Sequence, residues 1–228
     1  MTEVLTQEEI NNLLNAINAA ESKNSQDSGT ESRQDKFSRE QIRSISIIYE
    51  NFARMAKSSL SVRLRNTVKM NIASTDQLFL EEFFRSIPVP TVLGVINMEP
   101  LKGCAILEID PAIAFAFIDR MCGGKGESPK SQHELTDIEK KIMEGIFVSL
   151  LENLREAWSG VIDLQPRLDM IETNPLFIRI APPTEEVVLV TLEATTGDAE
   201  GMLNFCIPYP VIEPIMEKFN DPKSGVSK

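Results

Sequence analysis

One histidine, His133, stands alone in 228 residues. That removes any site built on two or more histidines, and no H-E-x-x-H, P-loop or G-x-G-x-x-G pattern is present. Three cysteines, Cys104, Cys122 and Cys206, are widely spaced with no C-x-x-C pair. They read as small buried apolar residues in a reducing compartment, not as a disulfide framework or metal site. Positive charge is scarce: 23 Lys and Arg stand against 34 Asp and Glu, a net charge of −11. Such a surface repels nucleic acid and anionic membrane. No apolar run approaches the ~20 residues that span a bilayer, and no signal peptide opens the chain. The sequence therefore implies a cytoplasmic protein with no cofactor, metal or nucleic-acid partner. Carboxylates abound, but on solvated helix faces, and no spacing marks a pair for acid–base catalysis.

What is present begins at the N-terminus, with "LTQEEINNLLNAI" over residues 5–17. Thr6 and Glu9 form a capping box, and Leu5 with Ile10 forms a hydrophobic staple. Ile10, Leu13, Leu14 and Ile17 make one apolar stripe. A helix this short is marginal alone and needs a surface, either its own protein or a partner's groove. Residues 20–36 are a polar string rich in Ser, Asn, Gln, Asp and Glu. Such composition stays unfolded, with a reach of about 25 Å. That slack favours a partner.

The body repeats itself. Residues 38–60 and 136–158 both read as amphipathic helices, opened by Ser38 with Gln41 and by Thr136 with Glu139. The two caps stand 98 positions apart. "GCAILEIDPAIAFAFIDRM" and "GMLNFCIPYPVIEPIMEKF" begin at Gly103 and Gly201, again 98 apart. This superposition aligns Ile109 with Ile207, Phe117 with Ile215, Asp119 with Glu217 and Arg120 with Lys218. Two matches at one offset predict two copies of one α/β unit. Strands are expected at "SVRLRNTVKMNIA", "TVLGVINMEP", "GCAILEID", "LQPRLDMIET", "EEVVLVTLEAT" and "GMLNFCIP". An extra short helix is expected in "STDQLFLEEFFRSI", capped by Ser74. Arg63, Arg65 and Lys69 would then share a strand face, where they would bind phosphate, pair with acids on a neighbouring subunit or face solvent.

Between the copies lies "MCGGKGESPKSQHE". A single glycine there would simply stop a helix. Three, at Gly123, Gly124 and Gly126, also allow close approach by another chain. A helix C-terminus is no place for a phosphate. His133, in the same stretch, reads as a solvated loop residue.

The N-terminal "LTQEEINNLL", the helix containing "ENFARMAKSSLSVRLR" (residues 50–65) and "CGGKGE" together resemble the FliM family of flagellar motor switch proteins. The resemblance implies an α/β fold: a pseudo-two-fold, layered α/β/α domain of two CheC-like copies, preceded by a flexible arm carrying a short recognition helix. The arm covers residues 1–18, the linker 19–36, the domain 37–221 (copies about 37–122 and 134–221) and a disordered tail 222–228. It further implies that Leu5, Gln7, Glu8, Glu9, Ile10, Leu13 and Leu14 bind the phosphorylated response regulator CheY. Gly123, Gly124, Lys125 and Gly126 would bind FliG. Neighbouring FliM copies would form a ring at the basal body, on the cytoplasmic side of the inner membrane. The chain ends at "DPKSGVSK", before the family's β-rich C-terminal domain, so FliN is expected as a partner only where that domain is present.

A rival reading from the same fold group is a CheC/CheX-type phosphatase, which places Glu-x-x-Asn on a long helix. Here Glu50 is followed at the third place by Ala53 and Glu144 by Phe147. The spacing occurs at Glu8–Asn11, Glu21–Asn24 and Glu217–Asn220, none on a long helix. The resemblance therefore implies a scaffold and not an enzyme. A self-docked acidic scaffold is the third reading.

Overall fold

The computed structural model describes residues 36–129 and 133–220. The expected helix at 5–17, the polar string up to residue 35 and the tail from 221 lie outside the described residues. In chain order the elements are α1 (Arg39–Leu64), β1 (Val68–Phe79), α2 (Leu80–Ser86), β2 (Val92–Asn97), β3 (Cys104–Ile109), α3 (Pro111–Met121), α4 (Asp137–Trp158), β4 (Arg167–Glu172), β5 (Glu186–Thr196), β6 (Ala199–Pro208) and α5 (Tyr209–Ile212). A 3₁₀ turn at Pro175–Phe177 precedes β5, and a 3₁₀ helix at Glu213–Asn220 follows α5.

Both long helices start where their caps predict. Ser38 Oγ accepts from Gln41 N–H while Gln41 Oε1 accepts from Ser38 N–H. Thr136 and Glu139 repeat the arrangement at α4. The six strands form one antiparallel sheet in the order β1-β5-β6-β3-β2-β4. Exchanging β1 with β4, β2 with β5 and β3 with β6 returns the same order read backwards. At the centre, Leu107 of β3 lies opposite Phe205 of β6. These two residues are 98 apart, so a pseudo-two-fold axis passes through their pair. The repeat in the sequence is thus a rotation in space.

The core follows the same symmetry. Tyr49 and Phe147, Phe52 and Leu150, and Leu60 and Trp158 are equivalent pairs on α1 and α4, and all six are fully buried. With α3 they cover one face of the sheet. The other face carries a thinner layer, in which Leu80 and Phe83 of α2 and Ile178 meet Leu93, Val95, Ile106 and Cys206. Gly94 sits mid-strand because a Cβ there would lie 2.4 Å from the Phe147 ring.

Two expectations need correction. Residues 61–65 are not strand: α1 continues to Leu64, where Leu64 is buried and Val62 is 80% exposed. The alternation of apolar and basic residues is too short to break a helix already under way, since each further residue adds a bond. The end comes at Arg65, in the left-handed conformation (φ 49), whose N–H returns to the Ser61 and Val62 carbonyls. Nor does Ser74 cap a helix. It lies within β1, opposite Thr191 of β5, in a ladder that runs on to Phe79 and Glu186. Cross-strand bonds outweigh its local capping preference. Helix α2 starts at that junction, where Glu82 accepts from Phe79 N–H at 2.8 Å.

All three cysteines are free, but only Cys206 is buried; Cys104 is half-buried and Cys122 exposed. Burial pushes the Cys206 thiol far above its ordinary range. No helix among the described residues is long and apolar enough to cross a membrane.

Candidate functional site: the glycine turn after α3

Helix α3 is opened by Asp110, whose carboxylate accepts from Ala112 N–H at 2.7 Å, with Pro111 in its first turn. It closes on Cys122 and runs directly into Gly123-Gly124-Lys125-Gly126. The turn is built by the two residues before its end. The Asp119 carbonyl accepts from Gly124 N–H at 2.8 Å. Its carboxylate accepts from Gly126 N–H at 2.7 Å and Glu127 N–H at 3.1 Å. Arg120 donates from Nε to the Leu64 carbonyl at 3.0 Å, from Nη1 to the Gly124 carbonyl at 2.9 Å, and from Nη2 to the Arg65 carbonyl. One guanidinium therefore ties the turn to the end of α1 and satisfies carbonyls that the helix leaves open.

The glycines serve different purposes. Gly123 adopts φ +92, and a Cβ there would meet nothing within 4 Å. Its backbone requires glycine while its surroundings are open. A Cβ on Gly124 would lie 2.1 Å from the Asp119 carboxylate. The close approach at Gly124 is therefore by the chain's own Asp119. Gly123 and Lys125 are exposed and form the free face of the turn.

Arg63, Arg65 and Lys69 do not share a strand face. Lys69 is in β1, opposite Thr195. Arg63 and Arg65 instead border a cleft of about 500 Å³ beside the turn, together with Arg120, Met121, Gly123 and Gly124. A Cβ on Gly145 of α4 would lie 2.6 Å from Arg63 Nη2. A mid-helix glycine costs about 1 kcal/mol relative to alanine, and here the space it leaves holds a guanidinium. His133 is not simply solvated: its Nε2 is 3.2 Å from Glu139 Oε1, and its ring lies 4.7 Å from that of Phe115. It braces the α4 cap.

Arg120 is the residue that motif reading passes over, although the repeat carries its signal. Its counterpart Lys218 donates to the Val161 carbonyl at 3.0 Å, just beyond the end of α4. The same cation caps the same helix in each copy. Gly145 had a signal too, as an isolated glycine within a helical pattern. Leu5, Gln7, Glu8, Glu9, Ile10, Leu13 and Leu14 lie outside the described residues. Among the described residues, no group of three or more His, Cys, Asp or Glu is placed to hold a metal.

Comparison with known proteins gives this geometry a family. The family described as flagellar motor switch protein FliM matches residues 38–223. The chain is 53% identical to the FliM of Treponema pallidum, over 96% of this chain and 67% of that protein. It is 48% identical to the FliM of Borreliella burgdorferi, over 95% of this chain and 66% of that protein. The chain thus spans about two thirds of the length of these curated relatives. Among solved structures, that of a FliG–FliM complex from H. pylori superposes with a TM-score of 0.78 at 36% identity, covering 79% of this chain and all of the matched chain. On the match across its whole α/β body and on these identities, the chain belongs to the FliM family of flagellar motor switch proteins.

Proposed function

We propose that this chain is a flagellar motor switch component that receives the phosphorylated response regulator CheY at its N-terminal segment and passes the signal to FliG at the glycine turn. The observation that carries the reading is the turn itself. Asp119 and Arg120 hold it rigidly, while Gly123 and Lys125 stay exposed. A rigid, exposed turn without its own covering suits a protein partner, and the name of the H. pylori complex supplies FliG as that partner. The reading puts copies of the chain side by side in a ring at the cytoplasmic side of the basal body, with FliN added only where a further C-terminal domain is present.

A binding role is favoured over phosphatase activity by two burials. Ala53 and Phe147, three places after Glu50 and Glu144, are 3% and 0% exposed. A residue at either place faces the core and could not orient an attacking water.

Two titrations test the reading. Lys125→Glu is expected to weaken FliG binding about tenfold while leaving the melting temperature unchanged, because Lys125 is exposed. Gly124→Val is a poorer probe, since it would strike Asp119 and spoil the turn from within. Unaltered FliG affinity in Lys125→Glu would remove the turn from the interface. For CheY, fluorescence anisotropy of the full chain with beryllofluoride-activated regulator is expected to show binding that the Ile10→Ala/Leu14→Ala variant loses at least about tenfold. Equal affinity in that variant, or equal binding of unactivated CheY, overturns the assignment of the segment.

A further inference from the structure

We propose that the cleft between the end of α1 and the glycine turn receives an acidic side chain of the protein that docks on that turn, with Arg63 and Arg65 as its guanidinium contacts. The inference rests on the reading that FliG docks there and names the chemistry of that contact.

Four observations lead to it. First, the two arginines converge by construction. Residues two apart on a helix point about 200° apart, so Arg63 and Arg65 could not share a cleft within α1. The left-handed conformation of Arg65 (φ 49) ends the helix and lets both residues border the same space. Second, they are available. Arg120 spends its guanidinium on three carbonyls, whereas the side chains of Arg63 and Arg65 have no acidic partner among the described residues, and both are exposed. Third, Gly145 leaves room for the Arg63 guanidinium against α4, where a Cβ would displace it. Fourth, the cleft gathers positive charge on a chain whose net charge is −11. That local reversal steers an acidic group to this point.

The cleft's donors say which anion. Phosphate sites commonly rely on backbone N–H groups aimed inward. Here the N–H groups of Arg65, Gly123 and Gly124 are all donated to the chain's own carbonyls. Recognition falls to guanidinium forks, which match a carboxylate in two parallel hydrogen bonds. A volume of about 500 Å³, open beside an exposed turn and walled partly by Met121, admits a Glu or Asp side chain carried on a protein.

The test is calorimetric titration of the full chain with FliG at low and moderate salt, comparing the unsubstituted protein with Arg63→Gln, Arg65→Gln and Gly145→Ala. Each Arg→Gln variant is expected to bind about tenfold more weakly and to lose part of the salt dependence, with melting unchanged. Gly145→Ala is expected to raise the melting temperature by about 2–4 °C. It is also expected to weaken binding, because its methyl group moves Arg63 away. A merely structural glycine would not separate stability from binding in this way. If the unsubstituted chain binds FliG and both Arg→Gln variants bind equally well with the same salt slope, the receptor assignment is wrong and the docking reading survives. If the unsubstituted chain does not bind, both fall. Titration of the free chain with inorganic phosphate completes the set: micromolar binding that depends on Arg63 would make the cleft a free-anion site and overturn the carboxylate assignment.

Discussion

Replacing Trp158 with alanine is expected to cost the fold about 3–5 kcal/mol, the range for emptying a buried aromatic site. Trp158 is fully buried at the last turn of α4. Its ring meets Tyr49 edge-on at 6.4 Å and Phe219 at 6.1 Å. It therefore joins α1, α4 and the closing 3₁₀ helix, three elements far apart in sequence. The void cannot be closed by one neighbour moving, because Tyr49 is also held by Phe52 and Phe205, with ring centroids at 5.9 and 4.8 Å. The symmetry supplies the control. Leu60 occupies the equivalent place on α1 and is also fully buried. Leu60→Ala, which removes a smaller side chain, is expected to fall in the leucine range of about 2–5 kcal/mol and below Trp158→Ala. Urea unfolding of the three proteins checks the order. A Trp158→Ala variant as stable as the parent would show that the two long helices are not locked together at this point.

The second large effect concerns pH. Glu108 of β3 is 1% exposed, on the face of the sheet opposite the long helices. Thr91 donates to one carboxylate oxygen, and Asn204 of β6 donates to the other at 2.8 Å. Thr191 donates to Asn204 Oδ1 at 2.8 Å and holds that amide in place. Burial pushes the Glu108 carboxyl up to about 7, beyond what its two hydrogen bonds offset. Its folded-state value is therefore above the unfolded one. The stability this group contributes is fully present below about pH 4.5 and is lost as pH rises through about 7. Over that window the loss amounts to about 3 kcal/mol. Glu108→Gln removes the titration while keeping an oxygen for Asn204 and an amide for the Thr91 hydroxyl. The stability of Glu108→Gln relative to the parent is expected to rise by about 3 kcal/mol between pH 5 and pH 8, measured by urea unfolding across that range. Parallel pH profiles for the two proteins would mean that Glu108 stays ionised in the folded state.

The corrected elements share a cause. Sequence periodicity over residues 61–65 fits a strand as well as a helix, and only the helix already propagating from Ser38 decides between them. Ser74 has the right chemistry for a cap, yet β5 supplies eleven residues of ladder beside it. In both places a local preference of about 1 kcal/mol or less meets a longer element with many bonds. The cysteines teach a similar lesson: Cys206 is buried because β6 is central, while Cys122 is exposed because α3 ends there.

By itself the sequence determined the starts of the two long helices, through Ser38 with Gln41 and Thr136 with Glu139. It also determined the two-copy plan, through matches 98 residues apart, and the presence of a glycine-rich joint. These are short-range signals or repeated ones, and both can be read along a line. Only the tertiary structure decided that Asp119 fills the space beside Gly124, that Arg120 binds the turn to α1, that Arg63 and Arg65 border one cleft, and that Gly145 makes room for Arg63. The contacts of Arg120 with Leu64 and Arg65, and of Arg63 with Gly145, join residues dozens of positions apart, and no periodicity encodes them. They arise because the pseudo-two-fold sheet brings the end of α1, the end of α3 and the side of α4 to one place.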